Sequence, residues 1–200
     1  MVETAFLINL INSLPEGVYL ILKTWGFMFI LRLSDALFFK NSLPFFLGFY
    51  SKNGERRNYI SWLSCTFTHG NWKHFGANTL PFLVLGSLLA WNNTMELLVV
   101  SAIIIFVTCF GVYFFEKGKG PTIGASGLIT GFFGYLFLNG FLLRDINALI
   151  ISGITLVFYQ GIFYVVFSKL KGNVSNIAHY WGFAGGLFAS LFLNLEYLQV

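Results

Sequence analysis

Six stretches of about 20 predominantly apolar residues run along this chain, and a helix of that length crosses the hydrocarbon core of a bilayer. Only 10% of its 200 residues are charged, whereas soluble domains carry about 25% charged residues. The sequence therefore predicts an all-α membrane protein in which residues 1–200 form a single transmembrane domain. The expected spans are residues 18–39, 72–90, 96–115, 126–143, 148–167 and 177–195.

The connections between these spans are short, except for the first loop, residues 40–71. Its Leu43–Leu47 stretch is too apolar and aromatic for a solvated linker, so we expect this loop to lie along the membrane interface. The first span carries Arg32 and Asp35, which are three residues apart on one helical face. Residues at this spacing are neighbours on a helix, and we expect the two charges to pair.

Polar side chains stand near the starts of alternate spans. If the chain crosses the membrane six times, the second, fourth and sixth spans enter from the same side. Their first turns carry His74, Ser126 and His179 respectively. A helical turn rises about 5.4 Å, so we expect these three residues at one depth below one membrane surface. Ionisable residues within spans mark function by default.

Glycines follow two of these residues at helical spacing. Gly127 and Gly131 come directly after Ser126 in the fourth span, and Gly182 and Gly186 follow His179 in the sixth. Small residues four apart let transmembrane helices approach closely. The pattern predicts that the fourth and sixth spans are packed neighbours, which brings their polar ends together.

The polar residues suit acyl transfer. A serine hydroxyl becomes a good nucleophile when a base takes its proton, and histidine titrates near neutral pH. Ser126 and His179 are predicted to form a catalytic dyad, because no carboxylate lies at a matching depth. His74 and Asn78 share a helical face and, with the backbone N–H of Ser126, offer donors for an oxyanion.

Other functions are weighed against this one. Three histidines could bind a metal ion, although cysteine and carboxylate ligands are missing at that depth. A small polar-pore transporter would be favoured by an internal inverted repeat, and we see none. The net charge of +4 comes without a long basic run, so nucleic acid is not an expected partner. No metal or cofactor is expected.

At these motifs the chain resembles the rhomboid family of intramembrane serine proteases. Three stretches carry the resemblance: the His-His-Asn pattern of residues 68–78, the Gly-x-Ser-Gly of residues 124–127, and the Ala-His-x-x-Gly-x-x-x-Gly of residues 178–186. The resemblance implies a six-helix rhomboid-like bundle. Its implied site has Ser126 as nucleophile, His179 as base, His74 and Asn78 as the oxyanion hole, and a cavity lined by His69, Gly124, Ala125 and Gly127.

The resemblance also implies what the protein acts on. Its partners would be transmembrane protein substrates in a lipid bilayer, and a multi-pass protein of a prokaryotic cell membrane is expected. The alternative is an inactive rhomboid-like protein that binds or escorts membrane clients. The sequence departs from the family in two features: Ile60 and Ser61 replace a Trp-Arg pair, and Thr130 replaces a tyrosine that stacks on the histidine. Lysines and arginines concentrate on the active-site side, opposite to the family topology, so absolute orientation stays open.

Overall fold

The computed structural model describes residues 13–54, 56, 60–91, 93–143, 145–159, 161–162 and 175–195. Within them the chain is helical, and one isolated antiparallel bridge joins Phe49 to Thr122. The helices are Glu16–Leu37 (α1), Leu43–Leu47 (α2), Ser61–Phe67 (α3), Trp72–Ala90 (α4), Thr94–Phe115 (α5), Ser126–Leu143 (α6), Ile146–Tyr159 (α7) and Asn176–Leu193 (α8).

Side-chain caps set where two of the helices that carry the site begin. The Asn71 side chain accepts a hydrogen bond from the backbone N–H of His74 at 2.8 Å, at the start of α4. The Ser175 hydroxyl accepts one from the N–H of Ala178 at 3.1 Å, at the start of α8. Asparagine and serine are preferred caps because they satisfy an otherwise unpaired N–H. These caps place His74 and His179 in the first turns of their helices.

Helix α6 is the centre of the bundle. Its residues from Gly127 to Leu136 are all buried, and α8, α5, α4 and α7 pack around it. A Cβ built on Gly182 would overlap the carbonyl oxygen of Gly127. A Cβ on Gly186 would likewise overlap the carbonyl oxygen of Gly131. The two helices therefore touch backbone to backbone, because glycines face each other along the crossing.

Among the described residues, three helices are long and apolar enough to cross a bilayer: α1, α5 and α6. Helix α4 has 19 residues and α8 has 18, but both carry the polar groups of the candidate site. Helix α7 is described as far as Tyr159, so the expected end of the fifth span at residue 167 lies outside the described residues. Six crossings and an interfacial first loop stay predictions.

Some helix ends differ from the expected boundaries. Helix α1 ends at Leu37 rather than at residue 39, because Lys40 and Asn41 adopt positive φ angles of 52° and 61° and turn the chain. The last helix ends at Leu193 rather than at residue 195, where the Asn194 side chain donates to the carbonyl oxygen of Ser190 at 2.7 Å. Helices α1, α5, α7 and α8 each begin one or two residues earlier than expected.

The expected pairing of Arg32 with Asp35 is confirmed at 2.7 Å, with both side chains buried. The same carboxylate accepts the backbone N–H of Leu43 at 2.9 Å, and the guanidinium donates to Asn41 and lies over the Trp72 ring. A buried ion pair needs such additional hydrogen bonds to offset its desolvation. The pair thus ties the end of α1 to the first loop and to the start of α4.

Candidate active site

Ser126 and His179 meet where α6 and α8 begin. The Ser126 hydroxyl oxygen and Nε2 of His179 are 2.9 Å apart, which is hydrogen-bonding distance. His179 is buried, with 4% of its surface exposed. Its other ring nitrogen, Nδ1, has no hydrogen-bond partner among the described residues. In the part of the chain that the structure describes, the arrangement is therefore a pair of one hydroxyl and one imidazole, with no carboxylate bonded to the ring.

The segment before Ser126 is held in an unusual backbone conformation. Gly124 has a φ angle of +101°, which side-chain-bearing residues rarely adopt. Its N–H donates to the carbonyl oxygen of Cys65 in α3 at 2.8 Å, while Ala125 is fully buried. Phe49 and Thr122 exchange backbone hydrogen bonds of 3.0 and 2.8 Å. The first loop thus fixes the approach of the chain to Ser126.

His74 and Asn78 lie against this segment from α4. A Cβ built on Gly124 would be 2.7 Å from Nε2 of His74 and 3.4 Å from Nδ2 of Asn78. Asn78 is buried, and its Nδ2 has no hydrogen-bond partner within the described structure. Leaving a buried amide without a partner is costly. The Asn78 amide is therefore a donor available to a ligand bound beside Gly124, two residues before Ser126. Only glycine at position 124 leaves room for both side chains.

His69 packs against His74, and among the described residues neither of its ring nitrogens has a hydrogen-bond partner. Its ring is 2% exposed and packs edge-on against His74 at 5.2 Å and Phe75 at 5.3 Å between centroids. Burial, and then the charge of His74, lower the pKa of His69 to about 4. This ring is therefore neutral at pH 7, and it supports His74 by packing. Its role in lining a substrate cavity stays a prediction.

Sequence reasoning missed two supports of the pair. The buried Thr130 hydroxyl lies 2.9 Å from the carbonyl oxygen of Gly127 and 3.1 Å from that of His179, so it bridges α6 and α8. Its spacing of four from Ser126, which puts both on one helical face, was the available signal. Glu116 accepts a hydrogen bond from the Ser175 hydroxyl at 2.7 Å and so anchors the start of α8 without touching His179.

The site offers little to a metal ion. In the segments that the structure describes, no three His, Cys, Asp or Glu side chains converge closely enough to hold one. The groups that do converge are a hydroxyl, imidazoles and an amide. Such groups suit proton transfer and hydrogen bonding to a developing negative charge.

The fold is thus that of a helical integral membrane protein with a serine–histidine pair between two tightly packed helices. The family model of the Rhomboid domain matches residues 56–195. This match covers more than half of the chain and includes every residue of the candidate site. The chain belongs to the rhomboid family.

The chain is similar to proteins of mycobacteria. The chain is 34% identical over 133 residues to an uncharacterized protein of Mycobacterium tuberculosis, covering 63% of this chain and 55% of that protein. It is 35% identical over 133 residues to an uncharacterized protein of Mycobacterium leprae, covering 63% of this chain and 53% of that protein. The chain therefore spans little more than half the length of these relatives.

Proposed function

We propose that this protein is an intramembrane serine endopeptidase that uses Ser126 as nucleophile and His179 as general base. The observation that carries the proposal is the 2.9 Å separation of the Ser126 hydroxyl oxygen from Nε2 of His179. Membership of the rhomboid family supports it, since that family contains intramembrane proteases. The proposed substrates are transmembrane segments of other membrane proteins.

The reaction would proceed by acyl transfer. Nε2 of His179 takes the hydroxyl proton as the Ser126 oxygen attacks the scissile carbonyl carbon, and the carbonyl oxygen gains a negative charge. His179 then gives this proton to the leaving amine as the C–N bond breaks. Water, activated by the same imidazole, hydrolyses the acyl ester and restores the serine.

The negative charge would be stabilised by donors that are already in place. Nδ2 of Asn78 is buried and has no partner among the residues that the structure describes. His74 lies against the same Gly124 segment, and the N–H of Ser126 opens helix α6. Preorganised donors of this kind need no rearrangement when charge develops. We assign these three groups to the oxyanion hole.

Among the described residues no carboxylate bonds to the imidazole of the dyad, so backbone packing would orient it instead. Thr130 bridges to the carbonyl oxygen of His179 at 3.1 Å, and Gly182 lies one turn later against the Gly127 carbonyl. Both contacts join α8 to the helix that carries Ser126. Orientation of the base is therefore inseparable from the crossing of the two helices.

We further propose that six helices cross the bilayer, with the dyad a few ångströms below one surface. A substrate helix hides its carbonyl groups in its own hydrogen bonds, so it must unwind locally before one can reach Ser126. Substrates should carry glycine, proline or polar residues near the cleavage site. A small side chain is expected at the cut itself.

Labelling with a fluorophosphonate probe tests the nucleophile. The probe should label the purified protein, and labelling should be lost in Ser126→Ala and His179→Ala. Ser190→Ala is the control, because Ser190 is a fully buried serine of α8 that lies far along that helix from His179. Persistent labelling of Ser126→Ala would place the nucleophile elsewhere. Absence of labelling in the folded wild type would favour a protein that binds clients without cleaving them.

A further inference from the structure

A small internal cavity adjoins the nucleophile. Its walls come from the start of α6, at Ser126 and Gly127, from α3 at Cys65, and from α5 at Thr108 and Cys109. Its volume is about 20 Å³. A cavity of roughly 10–15 Å³ holds one water-sized group. The space therefore fits a side chain of one or two heavy atoms and excludes a branched one.

Most polar atoms in this wall already have partners. The Cys65 and Cys109 thiols both lie at hydrogen-bonding distance from the carbonyl oxygen of Trp62, at 3.7 and 3.4 Å. The Thr108 hydroxyl differs, since it is buried and makes no hydrogen bond to the described residues. A buried hydroxyl without a partner costs about 1–3 kcal/mol. Within the described structure, Thr108 is thus a buried hydroxyl without a partner in the wall of this cavity.

The Thr108 hydroxyl is close to Gly127, the residue that follows the nucleophile. A Cβ built on Gly127 would be 3.6 Å from its oxygen and 2.9 Å from its methyl carbon. Ser126 lines the same cavity as Thr108, so the side chain of an acyl group bonded to the Ser126 hydroxyl has this space beside it. A hydroxyl on that side chain could pair with Thr108, whereas a methyl group of the same size could not.

We propose that Thr108 is a specificity-determining residue that selects a hydroxyl-bearing side chain, serine above all, on the acyl side of the scissile bond. This proposal rests on the proposed function, because it concerns what the Ser126 nucleophile accepts. A site built to hydrogen-bond a hydroxyl rejects analogues that lack one, since its own polar group is then left unpaired. The small volume excludes valine and larger residues for a separate, steric reason.

The test uses four peptidyl chloromethyl ketones of sequence acetyl-Ala-Ala-X, in which X is alanine, serine, 2-aminobutyrate or valine. Serine and 2-aminobutyrate are matched in size and differ only in a hydroxyl against a methyl. The measured quantity is the ratio of inactivation rate constants, serine over 2-aminobutyrate, scored as loss of fluorophosphonate labelling. Because the ratio is taken within one variant, differences in overall reactivity cancel.

The wild type should give a ratio of about 10, since one hydrogen bond contributes about 1 kcal/mol or slightly more. Thr108→Val should bring the ratio to about 1 or below, and Thr108→Ser should restore it. Thr155→Val is the control, because Thr155 is another buried hydroxyl without a partner in the described structure, on α7, and is absent from this cavity wall. Its ratio should equal that of the wild type.

Several outcomes would overturn the proposal. A wild-type ratio near 1, or an unchanged ratio in Thr108→Val, removes the role of the Thr108 hydroxyl while leaving the nucleophile assignment intact. Rapid inactivation by the valine compound contradicts the size argument. If fluorophosphonate labels Ser126 but no ketone blocks it, this cavity does not receive the side chain. If fluorophosphonate never labels the wild type, the proposed function itself fails, and this inference fails with it.

Discussion

Replacing Gly182 with valine should separate the packing of the helices from the chemistry they support. A Cβ at this position would be 2.6 Å from the Thr130 hydroxyl oxygen and would overlap the Gly127 carbonyl. Ordinary contacts begin near 3.4 Å, so α8 must move away from α6 by about 1 Å. His179 lies one turn earlier on α8 and would move with it.

Both activity and stability should change. A misplacement of about 1 Å in catalytic geometry can cost roughly 100-fold in rate. Overpacking of a close-packed interior costs typically 1–3 kcal/mol. We therefore expect Gly182→Val to label with fluorophosphonate about 100-fold more slowly and to unfold at lower temperature in detergent. Ser126→Ala should lose labelling with little thermal change, because it removes one small oxygen.

Two other glycines provide matched controls. Gly26 in α1 and Gly153 in α7 are helical, and a Cβ built on either would meet no atom within 4 Å. Gly26→Val and Gly153→Val should therefore label at the wild-type rate. Wild-type labelling and stability in Gly182→Val would contradict the close contact between α6 and α8, because the added side chain would then not overlap the Gly127 carbonyl.

Three further predictions concern the surroundings of the dyad. Asn78→Ala should lower the cleavage rate by about 10²–10³ with a smaller change in KM, and an unchanged rate would exclude it from the oxyanion hole. Thr130→Val should slow labelling severalfold and shift the pH profile of labelling, because the His179 backbone loses its hydrogen bond from the Thr130 hydroxyl. Thr130→Ser should restore the rate and the pH profile. If the two variants do not differ, Thr130 acts through packing alone. Folding lowers the pKa of His69 from 6.5 to about 4. Between these two pH values the unfolded chain binds a proton at His69 that the folded chain does not. The free energy of unfolding should therefore fall as pH falls, by up to about 1.4 kcal/mol per pH unit. Urea titrations in detergent at pH 6.5 and 4.5 measure this, and His69→Gln should flatten the slope; an equal slope in that variant contradicts the assignment.

The sequence predicted those features of the fold that depend on residues close together in the chain. The bounds of α4 and α6 agree with the expected spans, because Asn71 caps the one and the Gly124 turn precedes the other. The pairing of Arg32 with Asp35 needed only their spacing within α1. Glycines at four-residue spacing indicated the contact of α6 with α8, since such spacing puts small residues on one face.

Long-range contacts could not be read in the same way. The bridge between Phe49 and Thr122 joins residues far apart in the chain, and no local pattern predicts it. The hydrogen bond from Gly124 to the Cys65 carbonyl has the same character. Glu116 stands in the loop before Ser126, and no local pattern predicts its hydrogen bond with Ser175 at the start of α8. Supports of this kind depend on which loop residues the fold brings together.

Cleavage of a transmembrane substrate is the direct test of the proposed endopeptidase activity. The protein would be reconstituted in liposomes with a designed single-span substrate whose helix carries a Gly-Pro break beside a run of alanine and serine. We expect cleavage within or near the span by the wild type and by Ser190→Ala, and none by Ser126→Ala or His179→Ala, with all four proteins equally folded. Cleavage that persists in Ser126→Ala, or a folded wild type that binds this substrate and leaves it whole, would contradict the proposed function.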